Sequence, residues 1–170
     1  MDQENDILKR VCGGCTACCK THLIYEISKP WGMWCSHCSI GKGCLIYADR
    51  PSGCQKFSCQ WLLGFGKEEE RPDRMKIVVD SIFPTPVGRV YVLFEVTEGA
   101  LGSRFAQDTT QLLLGNGYPI YHVPLRGEST VHVPPGFFIP AGTEFSIDGR
   151  KVAKVVHYRA AGIILPKSTG

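Results

Sequence analysis

The spacing of apolar residues divides the chain into an irregular first part and a more regular second part. Residues 2–11 set Ile7, Leu8 and Val11 on one side of one or two helical turns, which Gly13 and Gly14 break. Residues 22–27 (HLIYEI) read as a short strand, and residues 28–32, carrying Pro30 and Trp31, as a turn. A Gly-rich turn at Gly41 and Gly43 follows, then a short apolar run at residues 45–47. Asp49, Arg50 and Pro51 form a helix start, and that helix is expected to run to Leu63 and stop at Gly64 to Gly66. Residues 67–74 (KEEERPDR) are a charge run, expected to be a solvated connector.

From Met75 the chain changes character. Residues 76–83 and 89–96 are rich in Val, Ile, Tyr and Phe and predict two strands joined by a Pro-Gly turn. Residues 100–114 place Leu101, Phe105, Leu112 and Leu113 at near-helical spacing, ended by Gly115, Asn116 and Gly117. Residues 119–125, 130–133, 144–147 and 152–158 predict further strands, the last two divided by a turn at Asp148 and Gly149. The expected fold class is α+β. A loop-rich, cysteine-dense, metal-binding N-terminal lobe (1–66) is followed by the connector (67–74). It packs on a mostly strand C-terminal half (75–170) that includes one helix.

Composition changes this picture in one respect. Hydrophobic (44%) and charged (21%) fractions are those of an ordinary globular chain, and 170 residues are enough to bury a real core. The net charge of +3 is small and its Lys and Arg are scattered. The nine cysteines, in contrast, are Cys12, Cys15, Cys18, Cys19, Cys35, Cys38, Cys44, Cys54 and Cys59, with none in the remaining 111 residues. A disulfide framework would leave two thirds of the chain without a crosslink, and an odd count leaves one thiol over. The first residues, MDQENDILKR, lack the apolar core of a signal peptide, and no run of 18 apolar residues exists. The expectation is a cytoplasmic protein with no membrane span, in which thiols stay reduced and bind metal.

Spacing supports that chemistry. Cys12-x2-Cys15-x2-Cys18-Cys19 and Cys35-x2-Cys38 are turns that can aim two thiolates at one ion, about 2.3 Å from zinc. Gly13 and Gly14 suit such a tight turn. Cys15-x2-Cys18-x16-Cys35-x2-Cys38 fits a four-cysteine zinc site, and so does the x19 spacing from Cys12 and Cys15. Cys54 and Cys59, if both helical, point about 140° apart and serve different ions. His22 and His37 fall inside the cluster and are further candidate ligands. His122, His132 and His157 receive no role. Trp31, Trp34 and Phe57 could shield a metal cluster from water, or simply form the core of a small lobe.

The runs CGGCTACC, WCSHC and GCLIYADRPSGCQKFSCQWL together resemble the bacterial CxxCxxCC family of zinc- or iron-chelating proteins. The second part of that signature is carried by Cys44, Ile46, Tyr47, Arg50, Pro51, Cys54, Phe57 and Cys59. The resemblance covers about residues 12–63, with a fainter echo at Arg71, Pro72, Asp73 and Arg74. One departure is Gln55, where members commonly carry Arg. The resemblance implies metal chelation and no particular reaction. Similar cysteine motifs occur in larger proteins, flagellin lysine methylases among them, but no Gly-rich nucleotide loop is visible here.

The leading expectation is therefore a zinc protein whose thiolate sites hold the N-terminal lobe together in a structural or accessory role. The first alternative is a 4Fe–4S protein in electron transfer or redox sensing. The second is a zinc-held interaction module for a protein partner. Nucleic acid is not expected, because Lys20, Lys29, Lys42, Arg50 and Lys56 are interrupted by Glu26 and Asp49 and form no stripe. No Ser-His-Asp elbow, HExxH or P-loop points to classical catalysis.

Overall fold

Short elements and tight turns make up the chain before the first long strand. They are α1 (Cys18–Thr21), the antiparallel pair β1 (Cys38–Ser39) and β2 (Gly43–Cys44), α2 (Ser52–Lys56) and α3 (Pro72–Met75). The structure is a computed structural model describing residues 10–147, 150–152 and 154–158. The helix expected at residues 2–11 lies outside the described residues except at Arg10 and Val11, which are not helical. The turn at Asp148 and Gly149 also lies outside them.

The second part builds a five-stranded mixed sheet. β3 (Ile77–Ile82) pairs antiparallel with β4 (Val90–Glu95), Ile77 facing Glu95 and Ile82 facing Val90. Helix α4 (Arg104–Gly115) then crosses one face, so β5 (Ile120–Val123) returns parallel to β4. β6 (Thr130–Val133) runs antiparallel to β5. A small ribbon of β7 (Ser146–Ile147) and β8 (Arg150–Lys151) precedes β9 (Lys154–His157), which lies parallel to β6 at the edge. The strand order is β3-β4-β5-β6-β9. The α+β expectation holds, and no described helix is long and apolar enough to cross a membrane.

Side-chain alternation makes this sheet two-sided. Ile77, Val79, Leu93 and Ile120 face α4 and meet its Ala106, Leu113 and Leu114. Ser103 caps that helix, its hydroxyl accepting from Ala106 N at 3.2 Å. Val78, Val92, Phe94, Tyr121, Val123 and Val131 form the opposite face, and there Ala17, Cys59 and Trp61 of the cysteine-rich segment join the same core. Cysteine loops, sheet and helix are thus three successive layers. Buried Glu95 stitches the sheet to its loops by accepting from Leu101 N (3.2 Å) and Leu125 N (2.9 Å).

Three elements differ from their sequence expectation. The strand expected at 22–27 is a 3-10 turn over Tyr25–Ile27. The chain reverses at Ser28 (φ 49°) and closes on a single bridge between Ile24 and Lys29, so no strand partner exists there. The helix expected to reach Leu63 stops at Lys56, and Phe57 is extended. Beyond Lys56 the chain is irregular over residues 57–59 and then turns at residues 60–64, and Phe57, Cys59 and Trp61 all join the core beneath the sheet, whereas a helix would set successive members of that trio about 200° apart. Finally, residues 67–74 are not a loose connector. Glu68–Glu70 form a 3-10 turn, Pro72 is buried, and Trp61 Nε1 donates to Lys67 O (3.1 Å) and Glu68 O (3.2 Å).

On the α4 face, His122 and His132 stack with ring centroids 4.0 Å apart. Thr110 Oγ1 gives its one proton to Ala106 O (2.7 Å), so His122 Nε2 is the donor in their 2.8 Å bond. His132 Nε2 meets Thr130 Oγ1 at 3.0 Å, and its buried Nδ1 has no partner among the described residues. Burial drives both pKa values down, to about 3 for His122, helped by His132, and about 4 for His132, helped by Lys154. Both folded values lie below the ordinary 6.5. The unfolded chain therefore takes up protons first, and stability present above pH 6.5 is lost as pH falls. Urea denaturation should show a loss on the order of 1–3 kcal/mol between pH 7 and 5. His132→Phe should flatten that dependence, and a profile unchanged by the substitution would exclude the pair as its source.

Candidate metal centre

Two of the CxxC units, Cys12–Cys15 and Cys35–Cys38, close the turn that their spacing suggests. Cys15 N donates to Cys12 O (2.8 Å) and Cys38 N to Cys35 O (3.1 Å). Gly13 takes φ 51° inside the first turn, and Cys35 N donates to Cys19 O (3.0 Å), bringing the second pair beside the first cluster. The β1–β2 pair sets Cys38 opposite Cys44. At the start of α2, Glu26 accepts from Ser52 Oγ (2.7 Å) and Gly53 N (3.0 Å), tying the 3-10 turn to the helix that carries Cys54. Those two bonds hold its carboxyl below the usual range.

The outcome is that all nine cysteines, which form no disulfides, line one cavity of about 680 Å³. His22 and His37 line it too, with apolar neighbours such as Ile24, Phe57 and Leu62. Two neighbourhoods can be distinguished. Cys19 hydrogen-bonds to the Cys18 and Cys38 thiols, and Cys54 interacts electrostatically with Cys19, Cys35 and Cys44. Cys12, Cys15 and Cys59 form the other group, linked to the first through Cys12 and Cys19. Cys54 lies in α2 and Cys59 beyond it, so the angle expected for two helical cysteines does not apply. Among the described residues, no three His, Cys, Asp or Glu side chains stand in an arrangement that could hold a metal ion.

Electrostatics at the site oppose ionisation of the thiols. Burial raises Cys12, Cys15, Cys54 and Cys59, each further raised by a neighbouring cysteine or carboxylate. Cys19 is raised foremost by its bond with Cys18, then by burial. Cys38 is pushed up to about 11, by burial first and then by Cys19. Such a cavity accepts several thiolates only together with positive charge.

Some positive charge is already there. Arg50 and Arg71 act on Cys12. Arg71 is held by a bidentate pair with Asp73 (2.6 and 2.8 Å), and Asp73 bonds in turn to Cys15. Lys29 is 5% exposed, its Nζ donating to Lys20 O (2.8 Å) and His22 O. Sequence reasoning treated Lys29 as one of several scattered basic residues and residues 71–74 as connector. No periodicity marks either of them, because contacts between distant loops bring them to the thiols.

The aromatic and histidine candidates separate. The His22 ring packs 4.2 Å from Phe57 and 4.7 Å from Phe94 (centroid distances), with Nδ1 at 2.8 Å from Thr21 Oγ1. Its buried Nε2 lies 3.8 Å from Asp80 Oδ2, beyond hydrogen-bond length. Phe57 lines the cavity, Trp31 packs on the core, and Trp34 lies under Lys20 Nζ at 5.6 Å. Gln55, at the departure from the family signature, donates to Arg50 O at 2.7 Å.

No protein family, curated protein or solved structure matches this chain. The resemblance to the CxxCxxCC family therefore rests on the motif residues themselves.

The closest backbone approach in the centre is testable. A Cβ on Gly14 would stand 2.7 Å from Gly41 O, and both are main-chain positions that cannot rotate aside. Gly14→Ala should lower stability in urea by roughly 1–3 kcal/mol. Unchanged stability would mean that the first turn does not press on the Gly41 loop.

Proposed function

We propose that the protein binds metal through cysteine thiolates, zinc foremost, and that the bound metal holds the N-terminal lobe together in a structural or accessory role. The observation that carries this reading is the convergence of all nine unpaired thiols on one cavity. Their donor chemistry fits zinc, which takes four thiolates in a closed tetrahedral site. Eight thiols would satisfy two such sites; of the two neighbourhoods, Cys12, Cys15 and Cys59 supply three thiolates and would take a fourth ligand from the six around Cys19. Loading requires the side chains to close inward from their present positions, in which no ligand set converges. The energy available is large: a structural zinc supplies roughly 10 kcal/mol of folding free energy. Loops whose own elements are at most five residues long gain most from it.

One observation favours a second reading. The cavity of about 680 Å³, lined by Ile24, Phe57 and Leu62 among the thiols, is roomy and apolar enough for a cluster. A 4Fe–4S centre held by four of these cysteines would give electron transfer or redox sensing. A lobe that serves as a zinc-held platform for a protein partner remains compatible with the first reading.

Elemental analysis and an absorption spectrum on protein purified without oxygen separate these. The expected result is about two zinc ions per chain without a visible band, with Cys19→Ser losing metal. Iron with sulfide and a broad band near ~400 nm would assign the cluster reading instead. A folded, metal-free protein that takes up neither metal and keeps nine titratable thiols would overturn both.

A further inference from the structure

Among the described residues, Lys29 is the one lysine buried in the cavity of thiols, at 5% exposure. An ammonium in such a place is costly unless it is paired. Its Nζ donates to Lys20 O and His22 O, at the C-terminal end of the helix that carries Cys18 and Cys19. An ammonium has three N–H donors, so one is left for the cavity. On that side the thiols of Cys19, Cys35, Cys18 and Cys54 act on it electrostatically, drawn from three separate segments of chain. The bridge between Ile24 and Lys29 fixes the backbone from which the side chain reaches in.

Four thiolates around a divalent ion leave a net charge of two minus, formed as each thiol gives its proton to solvent. A compact anion of that kind in a buried site requires a cation close by. Other cations are held differently: Lys20 donates to Val96 O at 2.7 Å, Arg50 lines the cavity but stacks over Tyr47 at 4.0 Å, Arg71 acts on Cys12 while bound to Asp73, and Lys42 lines the cavity but is exposed. We propose that Lys29 is the fixed counter-charge of the thiolate centre. It selects for metal complexes that carry net negative charge, through its positive charge rather than through its two carbonyl bonds. This assignment rests on the metal-binding reading above.

The test is a comparison of two metals on the full-length, reduced, metal-free protein. Cadmium, a divalent probe for four thiolates, forms an anionic complex. Arsenite, bound by three thiolates with loss of its oxygens as water, forms a neutral one. Lys29→Met should weaken cadmium binding by about 10- to 100-fold in chelator competition and leave arsenite binding unchanged. Lys29→Arg, which keeps the charge, should bind cadmium as the wild type does. Lys56→Met, the same change of net charge at an exposed residue outside the cavity lining, should also match wild type. Circular dichroism of the metal-free variants monitors folding. Should Lys29→Met fail to fold, Lys29→Gln keeps N–H donors without charge and carries the same comparison. Equal weakening of both metals, or cadmium affinity unaltered by the loss of charge, overturns the role of Lys29 alone. A wild-type protein that binds no cadmium overturns the metal-binding reading beneath it as well.

Discussion

The cysteine-rich segment depends on a sheet face that it does not itself build. Ala17, Cys59 and Trp61 are its members of the buried core, and they share one cluster with residues of β3, β4, β5 and β6. Around these anchors the segment has few buried apolar side chains, while Val11, Tyr25, Leu45 and Tyr47 are largely exposed. Area burial stabilises in proportion to apolar surface removed from water, so three anchors and a few partly buried neighbours hold some fifty residues of loop. Polar contacts extend that hold. Arg10 donates to Trp61 O and Phe65 O (both 2.9 Å), and Lys20 reaches the end of β4. The sheet can bear this load because its other face is covered by α4, leaving β4 buried on both sides.

That architecture determines where the chemistry lies. Loops anchored at Ala17 and Cys59 fold back over their own turns, and the space enclosed between them is the cavity onto which the thiols face. Burial there raises Cys12, Cys15, Cys54 and Cys59 and lowers Lys29, so each of these groups is shifted toward its uncharged form. Charge can enter such a site only in compensated form, cation with thiolates. On the proposed metal-binding reading, electrostatics and loop packing would work against each other without an ion and together with one, as in small thiolate sites whose folding is coupled to metal.

Much of the fold was legible from residue pattern. The Val-, Ile-, Tyr- and Phe-rich runs 76–83 and 89–96 became β3 and β4, and the spacing of Leu101, Phe105, Leu112 and Leu113 became the 3-10 turn and α4. These segments are long enough for packing and local preference to agree. Between residues 50 and 63 they conflict. The Pro51 start is real, but Phe57, Cys59 and Trp61 carry a period-2 signal that a helical assignment of the whole stretch overrides. The sheet decides between them, because leaving the helix at Lys56 and turning at residues 60–64 brings all three side chains into its core. At residues 22–27 the apolar composition of a strand was present without a partner to pair with, and a strand lacking a ladder is not a stable element.

The sequence by itself determined the α+β class, the helix and main strands of the second half, and the concentration of every cysteine into the first 59 residues. It determined the Cys12–Cys15 and Cys35–Cys38 turns as well, since these are local, each closed within four residues. Only the tertiary structure decided that nine thiols face a single cavity, that Lys29 stands among them, and that Arg71 and Asp73 flank Cys12 and Cys15. These are contacts between segments separated by up to sixty residues. No local period encodes them, because the shared sheet face and not the neighbouring residue fixes where each loop comes to rest.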